Sequence, residues 1–199
     1  MYVGTSTLTR LYGIATFQFA DDTSLNSAQY GINLDLFAKH QQFFVLGRVV
    51  DALAVDRSQP AMLRVGIRYQ RNLTTDDPED QVKIPVELTG RWTTRYWSLS
   101  DRNGFDFRWI NGEYSTRYRN RIYLELTPVQ KGYLFVPYGD IEWFYSIQQG
   151  EWTSVRYEAG LHLPVVSHLA VEPYAAWQSY WHVSSPDQRG LGINVVLTW

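Results

Sequence analysis

Between Arg117 and Arg121 an arginine stands at every second position, in the run Arg117-Tyr118-Arg119-Asn120-Arg121. Successive side chains of a β-strand point to opposite faces, so this spacing gathers three guanidiniums on one face, with Glu125 further along it. Before them an Asn111-Gly112 pair, tolerant of positive φ, turns the chain back on a strand with Asp106 and Arg108 on one face. Phe105, Phe107 and Trp109 take the other face of that strand. Downstream, Asp140 and Glu142 oppose Ile141, Trp143 and Tyr145. Arginine and carboxylate at this spacing can do two things: lock together as bidentate ion pairs, or form a basic wall that favours anions.

The same two-faced reading adds Arg64 and Arg68 in MLRVGIRYQ, then Glu87 and Arg91 in the stretch Val82 to Arg95. Arg156 and Glu158 follow in Trp152 to Val165, and Glu172 in Leu169 to His182. A solvated sheet face would mix lysine with glutamate. Here arginines sit among carboxylates while the opposite face is apolar and aromatic, the pattern of a polar lumen inside an apolar exterior. One reading is an ion-paired interior that fills a narrow barrel. The other is a narrow channel whose basic wall favours small anionic solutes.

Hydrolytic chemistry would need a histidine with a serine or carboxylate partner. His182, near Ser184, Ser185 and Asp187 in an expected outer loop, is the one candidate for a rim hydrolase. His40 and His168 sit at turns, and His162 reads as a satisfied interior group. Asp140 and Glu142 share a face with arginine neighbours, which argues against a raised catalytic pKa. No catalytic residue is assigned, and the chain is expected not to be an enzyme. Cysteine is absent, which removes disulfides and thiolate sites, and no cluster has metal-ligand spacing, so neither metal nor cofactor is expected. Gly190-Leu191-Gly192 has neither the helix nor the lysine of a phosphate loop, and is read as relieving crowding in the last strand.

The elements that must position these residues are all strands. Across 199 residues no convincing helix occurs, and nothing approaches an apolar membrane-spanning helix. Aromatic residues make up 16%, charged residues only 19%, and the net charge of −2 argues against general nucleic-acid binding. Only three lysines occur beside fifteen arginines. Eleven strand-like segments can be counted, several alternating for about ten residues or more, the length an oblique membrane crossing needs. Bacterial single-chain barrels use even strand numbers. Twelve is therefore expected, with the irregular Phe43 to Val55 divided or Met1 to Ser6 hiding part of a strand; ten, with Thr9 to Ala20 lying elsewhere, is the alternative.

The expectation is an all-β, antiparallel transmembrane barrel, with residues 1–199 as one outer-membrane domain. A soluble barrel or sandwich is the competing architecture, disfavoured by the scarcity of lysine. No signal peptide is visible in MYVGTSTLTR, so the chain is either cytosolic or, with the bacterial outer-membrane location that the strand pattern favours, a mature or recombinant form beginning after cleavage. Trp199 closes an alternating apolar strand, which resembles the C-terminal aromatic assembly signal of bacterial outer-membrane barrels. The expected partners are membrane lipid, the barrel-assembly machinery and an envelope protein.

Five pieces carry a family resemblance: Gly66 to Tyr69, Ser100 to Asn103, Arg117 to Arg121 with Glu125, Pro137-Tyr138 with Glu142, and Arg156-Tyr157 with Gly160. From about Arg64 to Trp199 the chain resembles the bacterial family catalogued as domain of unknown function 2490. Two features depart from that pattern: a shortened stretch at Thr74 to Gln81, and Gly104 where a larger residue is usual. The resemblance implies an outer-membrane barrel and no established activity.

Overall fold

A computed structural model describes residues 9–19, 25–37, 60–73, 79–94, 96–126, 135–166, 169–181 and 187–198. They form ten strands: β1 (Thr9–Phe19), β2 (Leu25–Phe37), β3 (Ala61–Asn72), β4 (Asp80–Thr93), β5 (Trp97–Ile110), β6 (Glu113–Leu126), β7 (Val136–Ser146), β8 (Glu151–Val166), β9 (Leu169–Tyr180) and β10 (Gln188–Thr198). Each strand pairs antiparallel with its sequence neighbours, and β1 pairs with β10, from Tyr12 opposite Thr198 to Phe19 opposite Leu191. The sheet is thus a closed barrel with no free edge, which satisfies every strand on both sides. The number is ten rather than twelve. Thr9–Phe19 belongs to the wall, because β1 is the strand that closes it, and Phe43 to Val55 and Met1 to Ser6 lie outside the described residues.

Local chemistry accounts for the turns and the gaps. Asn111 and Gly112 both adopt positive φ, 49° and 87°, the geometry that lets a two-residue hairpin follow the sheet's twist. Two prolines interrupt the ladder where they remove an N–H donor. Pairing of β3 with β4 skips from Val65–Val86 to Arg68–Lys83 beside Pro85. Likewise β8 and β9 skip from Gly160–Tyr174 to Leu163–Val171 beside Pro173.

The two faces are inverted relative to a soluble barrel. Outward residues are large and exposed: Ile32, Leu88, Trp92 and Leu191 show 56, 58, 58 and 65% of their surface. Inward Asn33, Asp35 and Asp106 show none, and Glu87 and Glu142 show 1%. A water-facing exterior of this composition would be a very large apolar patch, whereas hydrocarbon accepts it without cost. Strands of 11 to 16 residues are long enough for the crossing.

Candidate functional site

The lumen is built by inward positions of adjacent strands brought into register. Opposite Arg117 on β6 lies Asp106 on β5, and opposite Arg121 lies Glu142 on β7. Glu142 in turn faces Arg156 on β8, and Arg64 on β3 lies between Asp35 on β2 and Glu87 on β4. The resulting contacts run almost without interruption from β2 to β8. Arg64 Nε donates to Asp35 Oδ1 at 2.7 Å and its Nη2 to Oδ2 at 3.1 Å, a bidentate pair. Glu87 is the hub: Arg64, Arg68 and Arg102 approach it at 3.6, 3.9 and 3.7 Å, and Arg119 donates to it directly. Arg119 also reaches Asp106 at 3.1 Å and Glu142 at 2.9 Å.

From there the mesh continues through Arg117 to Asp106 at 2.9 Å and Arg156 to Glu142 at 2.7 Å. Arg121 pairs with Asp140, and both Arg121 and Arg156 lie 3.8 Å from Glu158. Tyr138 donates its hydroxyl proton to Glu158 at 3.2 Å. Two guanidiniums, Arg117 and Arg156, also lie over the Phe144 ring, at 4.5 and 5.9 Å from its centre.

All fifteen lumen residues expected from the sequence face inward. Arg91 and Arg108 join them by strand parity, half-buried, and Glu125 is buried near the other end of β6. Glu172 lies away from the arginines: His162 Nδ1 meets its Oε1 at 2.8 Å, and Asn194 Nδ2 donates to Oε2 at 3.2 Å. Thr16 extends this second cluster by donating to Asn194 Oδ1 at 2.7 Å. His162 is therefore a satisfied interior group.

Among the inward residues not expected from the sequence are Asn33, Asp35, Lys83 and Arg102. Asn33 and Asp35 share a parity with Gln29 in the alternating β2 sequence, a signal that could have found them. Lys83 could have been found as readily, since it shares its parity with Glu87 and Arg91.

Inward glycines make room for the large groups. A Cβ on Gly104 would lie 2.9 Å from Glu87 Cγ and 3.0 Å from Val86 O, so a larger residue there would collide with the hub. On Gly192 it would lie 2.2 Å from Tyr174 Cζ, so this glycine does relieve crowding in the last strand. His182 and Trp199 lie outside the described residues. Among the described residues no cluster of His, Asp and Glu could hold a metal ion.

Charges sealed inside and apolar side chains outside decide the environment. This is a membrane-spanning β-barrel.

No protein-family model matches the chain, and no curated protein does. Among solved structures it is similar to the NanC porin, at 9% identity and a TM-score of 0.47, over 96% of this chain and 98% of that one. It is also similar to the translocator domain of the autotransporter NalP from Neisseria meningitidis, at 6% identity and 0.45, over 99% and 90% of the two chains. A third is a loop L8 deletion mutant of OmpT, an outer membrane protein of Vibrio cholerae, at 10% identity and 0.44, over 96% and 99%.

Proposed function

We propose that this chain is an outer-membrane barrel whose lumen is closed by its own ion pairs, so that it serves the envelope as a structural member and not as an open pore. The observation that carries this reading is the burial at the centre of the mesh. Asp35, Asp106, Glu87 and Glu142 are sealed from solvent, although each belongs to a class of side chain that is almost never fully buried unless paired. A continuous water path past these carboxylates would wet them. Their arginine partners fill that space instead.

A second reading, a narrow channel for small anions, has its own support. The register places Arg68, Lys83 and Arg108 side by side on β3, β4 and β5, and Arg117 stands on the next strand. This row of cations toward the Asn111-Gly112 end would attract anions to that mouth. Single-channel recording of the folded, inserted protein in a planar bilayer under a salt gradient separates the two. The closed barrel gives no steady steps. Steady anion-selective steps that lose their bias in Arg119→Glu would replace the first reading with the second.

A further inference from the structure

Half of the sequence in Ser100 to Asn103 and Arg117 to Arg121 is spent on the lumen. Ser100, Arg102, Arg117, Arg119 and Arg121 point inward; Asp101, Asn103, Tyr118 and Asn120 therefore point out, toward lipid. There they form one connected patch. Asn120 Nδ2 donates to Asp101 Oδ1 at 2.8 Å and to Asn103 Oδ1 at 3.0 Å. Asn103 Nδ2 donates to the same Asp101 oxygen at 3.2 Å, and Tyr118 donates its hydroxyl proton to Asn103 Oδ1 at 2.5 Å.

The depth of this patch is what makes it unusual. Asn103 and Asn120 lie directly opposite each other near the middle of two 14-residue strands. Exposed Trp92, Tyr96 and Trp97 mark one end of this wall, and Trp109 and Tyr114 the other. With a rise of about 3.3 Å per residue and a tilt near 40°, Asp101 lies roughly 10 Å inside Trp97 and about 5 Å inside the level of Trp92, which stands opposite Leu99. Around it the outward side chains are Leu88, Leu99, Phe105, Ile122, Ile141 and Trp143. The amides satisfy one carboxylate oxygen but supply no countercharge. Among the described residues of β4 to β7 no cation faces outward.

We propose that the patch is a lateral docking site, within the membrane, for a different membrane protein that presents a lysine or arginine side chain at the same depth. It rests on the outward face meeting lipid and not on whether the lumen conducts. Charge complementarity selects the occupant. A second copy whose two-fold axis passes through the patch would set Asp101 against Asp101. Docked by another face it would offer Arg71 or Arg189, the outward cations among the described side chains, and these sit one residue from the strand ends at the rim. A cationic partner would convert an isolated carboxylate in hydrocarbon into a hydrogen-bonded ion pair, the usual state of ionisable groups inside membranes.

The test uses the full chain, fluorescently labelled at a loop and reconstituted in phosphatidylcholine vesicles. The probe is a synthetic leucine-alanine transmembrane helix with one central lysine, and the control helix carries leucine there. Energy transfer should report association about tenfold tighter for the lysine helix, and Asp101→Asn should bring the two within about threefold. Equal association of both helices with the unaltered barrel overturns the proposal without any variant. Barrel-to-barrel transfer in peptide-free vesicles that Asp101→Asn abolishes also overturns it, in favour of a second copy.

Discussion

The lumen has two walls of different chemistry. From β2 to β8 the inward face is a mesh of guanidiniums and carboxylates centred on Glu87, Arg119 and Glu142. From β9 through β10 to β1 it is nearly neutral, with Thr16, Gln18, Tyr174, Gln178 and Asn194, and among its described side chains Glu172 is the one carboxylate. The charged wall is held by pairing: Glu87 alone draws in four arginines from three other strands. The neutral wall is held by shape and single hydrogen bonds, as where the Tyr174 ring occupies the space that a side chain at Gly192 would need. A paired wall fails when one charge is left without its partner. A shape-matched wall should fail by smaller, local steps.

The largest effect is therefore expected on the charged wall. Glu87→Gln keeps the volume of the hub and removes the charge that Arg64, Arg68, Arg102 and Arg119 share. Stripping one partner from a buried ion cluster typically costs about 3–5 kcal/mol. Urea unfolding from lipid vesicles, followed by tryptophan fluorescence, should show a loss of that size. A loss below about 1 kcal/mol would mean that the arginines are held by water and the mesh is not the support it looks to be.

How much of this contrast could be read in the chain is itself instructive. Parity placed Arg117, Arg119 and Arg121 correctly because their outward neighbours include Tyr118 and Ile122, so the faces differ in character. Arg102 escaped because Asp101 and Asn103 beside it are polar too, and with both faces polar the alternation carries no signal. The strand number could not be settled by period either. Phe43 to Val55 looks like an irregular strand, and only the direct pairing of β1 with β10 shows that ten strands complete the wall. Nearest-strand partners such as Arg117 and Asp106 follow from hairpin register. The contact between Glu87 on β4 and Arg119 on β6 skips a strand, so it depends on barrel curvature, which no linear pattern encodes.

On the neutral wall the two faces can be compared at adjacent residues of β10. Ile193 points to lipid and stays 38% exposed, opposite Phe17 and Pro173 near the middle of the strand. Ile193→Arg places a charge where hydrocarbon should be, at a cost of about 2–4 kcal/mol. The same unfolding measurement should register it, together with a reduced yield of inserted barrel. Normal assembly and stability in this variant would contradict the outward assignment of the whole parity.

The next residue should respond least. Asn194 points inward, accepts a hydrogen bond from Thr16 and donates one to Glu172, so Asn194→Ala removes two neutral-wall contacts without adding bulk or charge. Each such bond is worth about 0.5–1.5 kcal/mol net, and part of that returns if water enters the small space left behind. The expected loss is about 1 kcal/mol, well under that of Glu87→Gln. Glu172 keeps His162 in this variant, which is why the wall should bend without collapsing. A loss as large as that at Glu87 would show that the neutral wall also behaves as one cooperative network, with Glu172 as a second hub.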